Sequence, residues 1–452
     1  MRKRVADDRQ YLFSNADLRR LIIPLVIEQL LAMLVGMADS IMVSSVGEAA
    51  VSGVSLVDTV FILMINIFSA LATGGAVVAG QYLGKKRPDR ACKTVDQLMI
   101  FIVLAGFAIT ALIYIFHSFI LHGVFGQIEA DVMANAKLYL LITNLSIPFI
   151  ALYNGGAAVY RAMGDSKTSM KMSLLMNAIN IGGNAFLIYG VKCGVEGVAI
   201  PTLVSRMFAG IGMMVLLRNQ KNELHFSKPF SWKLEWDMLK KILHIGIPNG
   251  LENSMFQLGK ILVLSMVATY GTASITANAI SNSLAALQML PGICMGFTML
   301  SVVSQCVGAG DYEQVRYYTK KLLKLAYIMM AVTIVAMWLM LPLILKLYHV
   351  SDEANTYVTK IMFLHGGMGI VFWPLAFTLP NALRASNDVV FCMVVSVISM
   401  WIVRIAGSYV FGTWLGMGVV GVWLAMTLDW VVRAAGFIWR FLSGKWRKLA
   451  HL

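Results

Sequence analysis

The sequence predicts an all-α integral membrane protein, with twelve transmembrane helices in two pseudo-symmetric six-helix bundles. Three observations carry that prediction. Apolar residues make up 58% of the 452-residue chain, mean hydropathy is +0.74 and only 13% of residues are charged, against roughly 25% charged in soluble domains. Apolar stretches of about 20 residues, the length a helix needs to cross about 30 Å of hydrocarbon, recur throughout. Twelve begin near residues 21, 55, 94, 136, 169, 194, 241, 278, 317, 355, 389 and 416. The third observation is a repeat. Pro24, Glu28, Gly47, Gln81 and Gly84 return 224 positions later as Pro248, Glu252, Gly271, Gln305 and Gly308. The register slips by one at Arg161 and Arg384, then returns to 224 for Gly194 with Gly418 and Gly197 with Gly421. Six helices bring each half back to the side where it began, so the halves share one orientation about an axis along the membrane normal.

Charge placement sets the orientation. Lys and Arg gather before the first helix (Arg2, Lys3, Arg4, Arg9, Arg19, Arg20), in the loop Lys85, Lys86, Arg87, Arg90 and Lys93, and in the tail. The opposite loops hold Lys137, Lys192, Lys346 and Lys360. That asymmetry predicts an inner-membrane (plasma-membrane) protein with both termini cytoplasmic. It also accounts for the net charge of +14 without a nucleic-acid partner. The first apolar segment is too long for a cleaved leader and lacks a small-residue cleavage pattern, so it is expected to remain as helix one.

The polar interruption between the repeats divides the chain into a first lobe at 1–217, a cytoplasmic linker at 218–240 and a second lobe at 241–452. Trp232 and Trp236, within a Lys/Glu/Asp-rich run, predict either a short amphipathic interfacial helix or a plain solvated linker. The five cysteines are scattered without a CxxC pair, which reads as buried apolar residues and not a disulfide or metal framework. Around Gly80, Gly84, Lys85 and Lys86 the glycine spacing is wrong for a phosphate loop, and neither HExxH nor GxSxG occurs. No catalytic residues, metal site or cofactor are therefore expected, and an ion gradient remains as the energy source for uphill transport.

Ionisable side chains inside a bilayer segment are costly and mark ion or substrate handling. Glu28 and Asp39 share a face of helix one about three turns apart, roughly 16 Å along the axis. Desolvation penalises a charged carboxyl, which suits proton exchange, and Pro24 removes a backbone hydrogen bond and makes a hinge. Asn177, Asn180 and Asn184 line one face of helix five. Their amides suit a facing carboxylate such as Asp39 or a small cation, with Thr202 of helix six adding a hydroxyl; interhelical packing is the alternative use. In the second half Val263 stands where Asp39 stands in the first. Helix seven instead carries Glu252, Asn253 and Lys260, a Glu252–Lys260 pair being open, and Arg404 with Asp429 reads as a structural bridge. This asymmetry assigns ion coupling to the first lobe. Thirty methionines fit a deformable cavity for varied ligands.

Several runs together resemble the multidrug and toxic compound extrusion (MATE) family over nearly the whole chain. They are Pro24 to Glu28-Gln29 with Asp39 and Gly47, Gln81 to Gly84, Arg161-Ala162-Met163-Gly164-Asp165, Asn180 to Gly190, and Gly194 and Gly197 with Thr202. The second half repeats them in Gly246 to Asn253, Gln305 to Asp311 and Leu383 to Asp388. The resemblance implies a V-shaped pair of bundles, alternating access, and expulsion of cationic or other amphipathic compounds against H⁺ or Na⁺. It places Asp39 at the coupling carboxylate, with Asn180 and Thr202 as its partners and helix one bending at Pro24. Many members carry Asp where Asn184 stands, and members with a second-lobe cation site use acids in helices seven and ten, where helix ten here offers His365. Proton coupling is therefore the first choice and Na⁺ the second. The expected substrate-binding residues are Glu28, Gln29, Asn177, Glu252, Asn253 and Lys260; the expected partners are small amphipathic or cationic molecules and membrane lipids, around a monomer. A flippase for a lipid-linked precursor, of the same superfamily, is the alternative that Lys260 and Arg404 keep open.

Overall fold

A computed structural model describes residues 11–124, 126, 128–349 and 351–450. Arg2, Lys3, Arg4 and Arg9 of the basic cluster lie outside the described residues. The first helix, α1 (Asn15–Ser44), starts where Ser14 and Asp17 cap each other. Ser14 Oγ accepts from the Asp17 backbone N–H at 3.2 Å, and the Asp17 carboxylate accepts from that of Ser14 at 2.8 Å. Arg19 and Arg20, expected ahead of the helix, therefore lie in its first turns.

The chain continues as α2 (Glu48–Gly84), α3 (Pro88–Val124), α4 in two pieces (Ala130–Asn144 and Ile147–Ala162), α5 (Ser166–Gly190) and α6 (Glu196–Leu216). The second half follows as α7 (Trp236–Ala268), α8 (Thr272–Gly308), α9 (Tyr312–Tyr348), α10 (Asp352–Ala385), α11 (Val389–Trp414) and α12 (Gly418–Leu442). Gly47 and Gly271 introduce α2 and α8 at φ +140° and +99°, where side chains are disfavoured, so both copies of this turn rest on glycine. The pieces of α4 meet at 52°, with Pro148 just beyond the break restricting the backbone.

Among the described residues ten helices are long and apolar enough to span a membrane, and the bent α4 makes an eleventh. The twelfth, α7, is 33 residues long, but Asn249, Glu252, Asn253 and Lys260 dilute its hydropathy. The linker forms no amphipathic helix. Residues 217–235 run through turns and bends, held to α3 where Asp96 accepts from the Ser227 N–H at 3.1 Å and Gln97 accepts from the Glu235 N–H at 2.8 Å. Trp236 then opens α7 itself, inside the span expected as linker.

Each half has its own core, but the two exchange the starts of their first helices. Leu18, Leu21, Ile22 and Leu25 of α1 pack with Met299 and Tyr318 of the second half. Met238, Ile242 and Ile245 of α7 pack with the first. Pro24 and Pro248 sit at these crossovers. The pseudo-symmetry axis passes through the repeat's own signposts. A Cβ on Gly84 would overlap the Gln305 carbonyl and one on Gly308 that of Gln81, so α2 and α8 cross backbone to backbone. Gln81 donates to the Ala385 carbonyl at 2.8 Å, ending α10, and Gln305 to that of Ala162 at 2.7 Å, ending α4. Both ends of the described chain lie on this face: the Phe13 N–H donates to the Tyr318 hydroxyl at 2.9 Å, and the Tyr312 hydroxyl donates to the Ala450 carbonyl at 3.3 Å.

Candidate functional site

In the first lobe α1, α5 and α6 bring four predicted residues together. Asn184 donates to Asp39 Oδ1 at 2.8 Å. The network orients the Asn180 amide with its nitrogen toward the same carboxylate, 2.9 and 3.1 Å from the two oxygens, and its oxygen toward the Thr202 hydroxyl at 3.1 Å. Asn180, Asn184 and Thr202 are buried. Asn177, on the same helix face, instead turns to Ser173 at 3.5 Å. From Gln29 to Ile41 no residue of α1 is buried, so these amides are the specific tie between that half of the helix and α5.

Two further ionisable residues join this neighbourhood. Asp58 on α2 accepts from the Tyr139 hydroxyl at 3.1 Å. Arg206 on α6 donates to Ser146 at 2.9 Å and lies 5.9 Å from the Phe61 ring centroid. Their signal was the one that singles out Asp39, a charge within an apolar segment.

The mirrored glutamates are not lone negative charges. Glu28 accepts from Tyr153 at 3.2 Å and Ser169 at 3.1 Å, with Arg161 at 3.9 Å. Glu252 is gripped by Arg384, whose Nη2 reaches both carboxylate oxygens at 2.8 Å. The open Glu252–Lys260 pair is thus not formed, because Arg384 supplies the partner from another helix. Glu28 with Arg161 and Glu252 with Arg384 are the same ion pair in two copies.

Between the lobes lies a cavity of about 320 Å³, lined by Asn66, Ser69 and Thr73 of α2 and by Asn249, Glu252 and Asn253 of α7. Of the expected substrate-binding residues Glu252 and Asn253 are in its wall, and Glu28, Gln29, Asn177 and Lys260 are not. Two chambers within the second lobe, of about 440 and 330 Å³, share Lys260, Asn282, Arg404 and Trp423. The larger shares Phe256, Phe297 and Phe377 with the central cavity. His365 closes one side, its Nδ1 2.8 Å from Gln288 Oε1 and its ring 5.4 and 5.0 Å from those of Trp423 and Trp430. The expected Arg404–Asp429 bridge is absent. Asp429 accepts from Arg433 Nε, one turn along the same helix, at 3.0 Å, and from the Ser399 hydroxyl.

The family model described as MatE matches residues 24–186 and again 248–410, two copies at the spacing of the repeat. The chain belongs to the MATE family. MATE proteins are membrane transporters, so this is a multi-pass membrane protein of a multidrug transporter family. The MATE chain is 27% identical over 431 residues to the uncharacterized transporter YisQ of Bacillus subtilis (strain 168), covering 94% of this chain and 93% of that protein. It is 25% identical over 444 residues to the probable multidrug resistance protein NorM of Thermotoga maritima, covering 96% and 94%. An outward-facing multidrug resistance MATE family transporter has the same fold, with a TM-score of 0.88 at 20% identity and 96% of each chain covered.

Proposed function

We propose that this protein exports amphipathic, including cationic, compounds across the inner membrane in exchange for protons, with both termini in the cytoplasm and Asp39 as the coupling carboxylate. The observation that carries this reading is the tie between Asp39 and the amides of Asn180 and Asn184. An ionised carboxylate only accepts hydrogen bonds, whereas the protonated acid carries an O–H donor. Protonation therefore sets a donor against the amide N–H at one oxygen, and that bond is lost while the other oxygen still accepts. Between Gln29 and Ile41 this part of α1 has no buried residue, while Met42 and Val43 at its end sit in the first-lobe core, so releasing Asp39 loosens the middle of the helix and favours bending at Pro24.

Asn184 stands where many family members carry Asp, and helix ten offers His365 in place of an acid; this supports H⁺ over Na⁺. Glu28 and Glu252, each with an arginine partner, serve in this reading as mirrored anchors beside the central cavity, which takes the substrate. Flipping of a lipid-linked precursor is the second reading, favoured by Lys260 and Arg404 in the second-lobe wall.

The test uses purified protein in liposomes loaded with a fluorescent lipophilic cation under imposed pH or Na⁺ gradients. A pH gradient drives efflux, and Asp39→Asn loses it while still binding the dye. Undiminished pH-driven efflux by the variant overturns the coupling assignment, and efflux driven by Na⁺ alone overturns the choice of ion. Lipid flipping without cation efflux promotes the second reading.

A further inference from the structure

We propose that the chamber of the second lobe binds an amphipathic anion, an anionic head on an aromatic or other apolar body. The site does not depend on the coupling role of Asp39.

Three cations, Lys260, Arg404 and Arg433, surround one ring. They lie 5.1, 5.2 and 5.9 Å from the centroid of Phe256. One carboxylate, Asp429, stands against them, and its bonds go to Arg433 Nε at 3.0 Å and to Ser399. Arg433 is further held by the Ser396 carbonyl at 3.1 Å. Among the described residues no carboxylate oxygen comes within 4.0 Å of Lys260 or Arg404. Arg404 is 7% exposed and its Nε has no hydrogen-bond partner.

A buried guanidinium lacking a counter-charge is costly to a fold, and an arginine fork matches a carboxylate or phosphate. Lys260, one wall of the same chamber, adds a second cation that reaches the cavity. Trp423, Trp430 and Phe377 supply flat apolar walls for the body of the ligand, and the chamber's volume of about 440 Å³ falls within the range of small-molecule sites. Phe256, Phe297 and Phe377 line both it and the cavity between the lobes, so it adjoins the transport route.

The experiment titrates full-length protein in phosphatidylcholine nanodiscs with naphthylacetate and with its uncharged isostere naphthylacetamide, read by calorimetry. The acid binds about tenfold or more tightly than the amide. Lys260→Gln and Arg404→Gln each weaken the acid about tenfold and leave the amide unchanged, Arg404→Lys retains the preference, and Asp39→Asn binds the acid like the wild type. If Arg404→Gln does not fold, Lys260→Gln carries the same comparison. Equal affinity for acid and amide, or an acid-to-amide ratio that Lys260→Gln leaves unchanged, overturns the site. Repeating the titration in phosphatidylglycerol discs separates the two sources of such an anion. Acid affinity that drops in wild type but not in Lys260→Gln assigns the chamber to a lipid headgroup, and acid affinity that holds assigns it to a soluble amphiphile. Cation efflux that fails with naphthylacetate binding intact refutes the transport reading alone.

Discussion

Around Asp39 the first lobe gathers Asn180, Asn184 and Thr202, with Asp58 and Arg206 nearby. At the positions 224 residues on, the second lobe carries Val263, Arg404, Ser408, Met426, Asn282 and Trp430. The first-lobe cluster is built on carboxylates and amides and the second-lobe chamber on cations and indoles, although the helices around them repeat. What stays alike lies where the copies touch. Gln81 and Gln305 each reach the last turn of a helix in the opposite half, and Gly84 and Gly308 each admit the other strand of the crossing. A change there must suit both copies at once. The Asp39 cluster and the second-lobe chambers share no residue, so each can change its chemistry without penalty to its twin.

The largest expected effect comes from trying to move the carboxylate from one lobe to the other. Val263→Asp added to Asp39→Asn leaves pH-driven efflux at the protein-free background, as in Asp39→Asn alone. The new acid has Lys260 one turn before it on the same helix face and no asparagine pair to release. Restored efflux in liposomes would show that the lobes are interchangeable, and the division of labour would fail.

A smaller effect separates the mirrored ion pairs. Glu252→Gln leaves Arg384 buried without its doubly bonded partner and destabilises the fold by about 3–5 kcal/mol. Glu28→Gln costs about 1–2 kcal/mol, because one of Tyr153 and Ser169 keeps the amide oxygen, the other hydroxyl can turn to accept from the amide N–H, and Arg161 keeps its stacking contact, 5.1 Å from the Phe297 centroid. Unfolding midpoints in detergent, measured side by side, check the difference. Equal shifts would make the pairs equivalent in strength as well as in position.

The architecture was legible because hydropathy and repetition are properties of the chain alone. So was the Asp39 cluster, since three- and four-residue spacing puts Asn180 and Asn184 on one face whatever lies opposite. Partners across helices were less legible, because they depend on how each helix is rotated. Asp429 chose Arg433, its neighbour by helical spacing, over Arg404 on another helix, and the local rule favours that pair. Glu252 chose Arg384, which no local spacing announces. The tryptophans of the linker left two courses open for a related reason. Their pattern fits an amphipathic helix, but Asp96 and Gln97 hold the backbone of that stretch in another course.

The smallest expected effect tests how finely the first site is tuned. Thr202 has Met426 as its counterpart, a residue with no hydrogen to give to an amide oxygen. In the first lobe that hydroxyl, 3.1 Å from the Asn180 oxygen, keeps the amide nitrogen turned toward Asp39. Thr202→Val removes about 1 kcal/mol of that preference, a factor of roughly five in the population of the aligned amide. pH-driven efflux should fall by about that factor, and Thr202→Ser should recover it, because serine returns the donor without the methyl. If valine and serine behave alike, the methyl packing of Thr202 matters and its hydroxyl does not, and Asn180 must take its orientation from Asp39 alone.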